Sequence, residues 1–141
     1  MKLLSIKLKI VILIIGLIII FVGEVYGADW KFHGLNESFW ASYDAQSVTR
    51  PSKNIVRVWE KWNYTEKGVI GIVGRLGKKY ENLSYTISLE EINCVEKMIR
   101  TLSVTYYDNK GEVIFFYSSP LEWDFIIPES NGETLYEEIC K

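Results

Sequence analysis

The chain is expected to form an α+β domain, an antiparallel sheet of about five to six strands packed by one or two helices, with one disulfide. Three observations carry that expectation. From Ser84 to Tyr117, β-branched and aromatic residues recur every second position: Tyr85, Ile87 and Leu89, then Leu102, Val104 and Tyr106, then Val113, Phe115 and Tyr117. Between the last two runs, Asp108-Asn109-Lys110-Gly111 supplies a short hairpin loop, with Gly111 able to take positive φ. Cys94 and Cys140, the two cysteines of the chain, both lie far from its N-terminal leader.

That leader bounds the domain. Lys2, Lys7 and Lys9 precede an apolar run from Ile10 to Val22, short for a membrane span, which takes about 20 residues, and suited to a secretory signal. Val25 and Gly27 fit the small-residue positions before a cleavage site, so residues 1–27 are read as a signal peptide and residues 28–141 as the mature domain, with no membrane span after cleavage. A retained N-terminal anchor is the alternative. No cysteine lies near the cleavage point, so the signal of a lipoprotein is not expected. Removing the leader takes Lys2, Lys7, Lys9 and Glu24 with it, leaving 13 basic and 17 acidic residues and a formal charge of −4. Such a domain lacks the basic face that phosphate neutralisation requires, and nucleic acid is not an expected partner.

In an oxidising compartment two thiols in a small domain pair, which makes Cys94–Cys140 the expected bridge. It closes a loop of about 47 residues, for which chain entropy gives at most about 4 kcal/mol.

In chain order, Asp29 to Glu37 reads as an irregular lead-in or the beginning of a first strand. Ser38 to Asp44 is a strand with Phe39, Ala41 and Tyr43 on one face, and Ser47 to Thr49 extends it after a bulge or turn. Arg50 to Asn54 punctuates. Ile55 to Trp62 is a strand whose two rows are Val56, Val58, Glu60, Trp62 and Ile55, Arg57, Trp59, Lys61. The second row sets charge on an aromatic floor, with Arg57 and Lys61 placed to stack on Trp59, and these three residues are the candidate binding surface.

Val69, Ile72, Val73, Leu76 and Tyr80 have helical spacing, and Gly71, Gly74 and Gly77 would let such a helix sit close on the sheet; a glycine-rich hairpin is the alternative. The glycines lack the context of a phosphate loop. After the central strands, whose turn is placed at Glu96-Lys97, the row Ile99, Thr101, Ser103, Thr105 and Tyr107 is expected to be the more polar face and its alternate row the core. Trp123 to Ile127 is an apolar extended segment. Ser130 and Glu133 have capping-box spacing before a short helix, Asn131 to Cys140, with Leu135, Tyr136 and Ile139 inward.

No reaction centre is legible, and no catalytic, cofactor or metal site is expected. His33, the single histidine, is read as a surface or edge residue. The acidic pairs Glu90-Glu91, Glu122 with Asp124, and Glu137-Glu138 are neighbours that diverge on strand or helix, and no spacing implies a shared cleft.

The residues from Ser38 onward resemble the bacterial surface-adhesin protein E family. The matching stretches are Val56-Arg57-Val58-Trp59, Tyr80-Glu81-Asn82 with Ser84-Tyr85, Glu91-Ile92-Asn93-Cys94, and Leu102 to Asp108 with Gly111. After these come Ser119-Pro120 with Glu122-Trp123, Pro128, Gly132-Glu133 with Leu135-Tyr136, and Cys140-Lys141. The resemblance implies an antiparallel sheet packed by a helix, a cysteine pair matching Cys94 and Cys140, and a homodimer as one state. No binding residue is carried over. The function expected is that of an exported, non-enzymatic, adhesin-like binding protein of the cell envelope, periplasmic or at the surface, with a protein or envelope component as partner. The alternative is a periplasmic small-ligand carrier or inhibitor with an apolar pocket on the Trp59 side.

Intact mass of the protein recovered from the periplasmic or secreted fraction is expected to correspond to a chain starting at Ala28 with both thiols oxidised. A full-length mass, or two free thiols, contradicts the reading.

Overall fold

The computed structural model describes residues 27–141, so the expected signal peptide lies outside the described residues, save Gly27. Among the described residues the eight strands are β1 (Trp30–Leu35), β2 (Phe39–Asp44), β3 (Thr49–Ser52), β4 (Ile55–Tyr64), β5 (Leu83–Asn93), β6 (Met98–Asp108), β7 (Val113–Tyr117) and β8 (Asp124–Phe125). They form one antiparallel sheet in the order β1-β2-β4-β5-β6-β7, with β3 beside β4 and β8 beside β6. Helix α1 (Glu66–Leu76) follows β4 and runs into a 3-10 turn, Lys78–Tyr80; helix α2 (Asn131–Ile139) closes the chain. The lead-in is thus a strand.

Paired residues share a face of the sheet, so the register separates two sides. Val56, Val58, Glu60 and Trp62 of β4 lie with Ile92, Glu90, Ser88 and Thr86 of β5 on the side that both helices cover. Arg57, Trp59 and Lys61 lie with Glu91, Leu89 and Ile87 on the other. Under α2, Val56, Val58, Ile92, Leu135 and Ile139 form one apolar cluster. Under α1 and its 3-10 turn, Ile72, Tyr80 and Leu83 form a second, joined by Tyr64 and Tyr106. The core is therefore split.

A register shift in β6 corrects the assignment of its two rows. Leu89 pairs with Ser103 but Glu90 pairs with Thr101, which leaves Leu102 as the extra residue of a bulge. Ile99 and Thr101 thereby join Val104 and Tyr106 on the helix side, and only Ser103, Thr105 and Tyr107 keep to the other face. Strict alternation cannot survive an inserted residue.

Both helices begin as their sequences dictate. The Thr65 side chain accepts a hydrogen bond from the Gly68 amide at 3.2 Å, and Ser130 accepts from Glu133 at 3.3 Å. Glu133 Oε2 in turn accepts from the Glu129 amide at 2.7 Å rather than from the cap residue's own amide. Gly77 ends α1 at φ 101°. Leu135 and Ile139 are buried and Tyr136 packs beside them, its hydroxyl donating to the Cys94 carbonyl at 3.2 Å. Cys94, in the turn between β5 and β6, is bonded to Cys140 with a Cα separation of 5.5 Å, tying α2 to the middle of the sheet.

The glycine arrangement of α1 differs from expectation. A β-carbon on Gly71 or Gly74 would meet open space, and Leu76 is exposed. The close approach is at Gly68, where a β-carbon would overlap the Ser38 backbone carbonyl and press on the Tyr64 ring. Gly68 stands in the first turn, where the helix leaves β4 and crosses the start of β2; Gly71, one turn on, lines a cavity beside that contact rather than touching it.

In chemical unfolding, Gly71→Ala and Gly74→Ala are expected to raise stability by about 0.5 to 1 kcal/mol each, because alanine reduces unfolded-state freedom at no steric cost. Gly68→Ala is expected to lower it by about 2 kcal/mol or more, since a fixed backbone atom must move.

Candidate functional site

Two features of the folded domain are chemically distinct from ordinary surface. One is the sheet face on which neither helix lies. Cross-strand pairing puts Trp30, Phe32, Leu35 and Trp40 of β1 and β2 on it, with Trp59 of β4 and Val113 and Phe116 of β7, all of them exposed. The row between them is aromatic and basic. Tyr85 and Tyr107 stack at 4.7 Å, and Lys61 Nζ sits 4.3 Å from the Tyr85 centroid. The sequence places Arg57 and Lys61 on Trp59; the folded chain gives Lys61 to Tyr85 and Arg57 to Glu91.

Glu91 organises one end of this face. Arg57 donates to its Oε1 through Nε and a terminal nitrogen at 3.0 and 2.6 Å, and Arg100 donates to Oε2 in the same way at 2.9 and 2.7 Å. Burial pushes the Glu91 carboxyl up, but the hydrogen bonds and charges of the two guanidinium groups outweigh it and hold the carboxyl below the usual range. Arg100 also stacks on Trp123, 4.5 Å from its ring centre. One buried carboxylate thus fixes two arginines and, through one of them, a tryptophan.

The second feature is a groove on the helix side, in the gap between the two apolar clusters. Its floor is polar: Glu60, Thr86, Ser88 and Glu90 are all buried. Adjoining cavities of about 310 and 220 Å³ share Glu60, Trp62, Glu90, Thr101 and Leu121, and a third of about 200 Å³ continues past Trp62 toward Phe39 and Ile72. The segment after β7 supplies one wall, held by Leu121 and Ile126 amides donating to the Thr101 and Lys97 carbonyls at 2.9 and 3.0 Å.

His33 corrects the sequence reading. The β1–β2 register shifts between Phe32 and Gly34, and that irregularity turns His33 inward. Its side chain is fully buried, Nε2 2.8 Å from Glu60 Oε1 and Nδ1 3.2 Å from the Thr134 hydroxyl of α2. The absence of a shared carboxylate cleft is corrected too. Glu60 and Glu90 lie 30 positions apart in sequence, yet the pairing of Glu60 with Ser88 and Val58 with Glu90 makes them diagonal neighbours on one face. Burial, then the charge of Glu60, pushes the Glu90 carboxyl up to about 7 against the pull of hydrogen bonds from Ser88 and Thr101, the latter at 2.9 Å. The signal was visible in part, since Glu60 falls in the apolar row of β4.

A profile of the family described as Surface-adhesin protein E matches residues 30–141. The chain belongs to the surface-adhesin protein E family. Among solved structures it is similar to Haemophilus influenzae protein E, at 13% identity and a TM-score of 0.48 over 77% of this chain and 87% of that one. A second crystal form of that protein gives 12% and 0.49 over 82% and 96%, and protein E from non-typeable Haemophilus influenzae gives 12% and 0.49 over 84% and 81%. No curated protein matches.

In this surface-adhesin E domain, no group of three or more His, Cys, Asp or Glu among the described residues could hold a metal ion. No helix among them is long and apolar enough to cross a membrane.

Glu90 makes stability depend on pH with a definite sign. Its carboxyl is raised from about 4.5 unfolded to about 7 folded, so folding favours the protonated form and stability falls as pH rises between those values. The wild type is expected to lose about 3 kcal/mol relative to Glu90→Gln between about pH 4 and pH 8. Urea titrations of both proteins across that range check it.

Proposed function

We propose that the protein is an exported, non-enzymatic binding protein of the bacterial cell envelope, periplasmic or at the surface, that engages a protein or envelope component through the helix-free sheet face. The observation that carries this reading is the collection of exposed Trp30, Phe32, Leu35, Trp40, Trp59, Val113 and Phe116 on that face. Exposed apolar side chains gathered on one face and mixed with fixed arginines are characteristic of interaction surfaces, where tryptophan, tyrosine and arginine supply most of the energy. Arg57, Trp59 and Lys61 are the central strand's contribution. The Arg57–Glu91–Arg100 clamp is formed before any partner arrives, so little ordering cost remains at binding. Membership of an adhesin family supports the same reading.

A photo-reactive amino acid at position 59 or 61, activated in the producing cell, is expected to capture a discrete partner. The same group at Ile70, exposed on α1, is expected to capture none. A covalent dimer would identify a second copy of the chain as the partner. Equal capture at all three positions would remove the helix-free face from the proposal.

A further inference from the structure

The groove opposite that face has a composition of its own. Its floor carries Glu60 and Glu90 at its middle, its walls are the rings of Trp62, Tyr64 and Tyr106, and Leu121 closes one side. The acidic residues Glu122 and Asp124 line the mouth. The one basic residue lining the two larger cavities, Arg100, donates through Nε and one terminal nitrogen to Glu91 on the other face. Glu60 has the His33 Nε2 atom 2.8 Å away, whereas Glu90 has only hydroxyl donors and no basic side chain among the described residues.

A buried carboxyl without a cation costs stability, and carboxyls so perturbed gather at functional sites. The chemistry of the lining selects among ligand classes. Anions face four acidic side chains. A neutral apolar molecule would seal two carboxyls away from water and give them no donor. A metal ion would find too few ligands. An ammonium group on an alkyl chain satisfies both parts, donating to carboxylates and laying its methylenes and charge against aromatic rings.

We propose that the groove binds a primary alkylammonium group, with the nitrogen against Glu90 and Glu60 and the chain along Trp62, Tyr64 and Leu121. The ammonium can come from a free aliphatic amine or from a lysine side chain. Tyr64 lines the cavity of about 220 Å³, which adjoins the one of about 310 Å³ at Glu60, Trp62, Glu90 and Leu121, and the two together have the size of a small-ligand site and fit a chain of that kind. Because Glu90 holds a proton over part of the neutral range, an arriving cation displaces it, and binding releases that proton to solvent. The groups facing Glu90 are Glu60, with His33 behind it, and the hydroxyls of Ser88 and Thr101.

The test is calorimetric titration of the oxidised mature domain at pH 7 in two buffers of different ionisation enthalpy. The probes are 1,5-diaminopentane and Nα-acetyl-lysine N-methylamide, with 1-pentanol and pentanoate as controls. Saturable binding of either amine is expected, with release of about half a proton per ammonium bound. Binding of the diamine alone assigns the site to free amines, and binding of both extends it to lysine side chains. Glu90→Gln, of the same shape, is expected to weaken binding at least tenfold and to abolish the proton release. Binding of pentanol or pentanoate as tight as that of the amines, amine binding without proton release, or no binding by either amine overturns the proposal.

Discussion

Two short helices cannot cover this sheet. Helix α1 has 11 residues and α2 has 9, which at about 1.5 Å per residue makes each roughly 14 to 17 Å long. Strands β5 and β6 have 11 residues each, more than about 35 Å of extended chain. Each helix therefore buries one end of one face, and the apolar core forms as two clusters rather than one. The uncovered areas follow from that shortage: a polar gap between the clusters and an entire second face.

What the two uncovered areas do with charge differs. On the open face, Glu91 is buried but has two arginines, so it stays ionised and holds their guanidinium groups in place. On the helix side, Glu90 occupies the adjacent position in sequence and points the other way, with hydroxyls for company and Glu60 as a neighbour. Alternation along one strand thus sends one carboxyl below its ordinary range and the next above it. The disulfide from Cys94 to Cys140 and the buried His33 contact to Thr134 secure α2 over its end of the sheet, and so fix one wall of the gap.

Much of the architecture was legible from local pattern. The strands from Ile55 onward, the capped terminal helix and the cysteine pair all follow from periodicity, capping chemistry and compartment. The helix expected over Val69 to Tyr80 is present but starts at Glu66 and stops at Leu76, where Gly77 takes positive φ and Tyr80 falls in a 3-10 turn. The rows of β4 were assigned correctly because no bulge interrupts that strand's pairing with β5. Those of β6 were not, because a single extra residue at Leu102 exchanges the faces, and nothing in the residue types marks it. Gly68 carries no local mark for a related reason. Its role depends on how near the Ser38 carbonyl comes, which is a distance between segments far apart in the chain.

The sequence by itself determined the fold class, the order of most elements, the sulfur bridge and the residues Arg57, Trp59 and Lys61 as one row of one strand, since each is a matter of nearest neighbours along the backbone. Tertiary structure decided which face the helices would occupy and therefore which row would be left open. It also decided that His33 would turn inward and that Glu60 and Glu90 would meet across two strands. Those outcomes depend on register, bulges and helix length acting together, and none of them has a local signature.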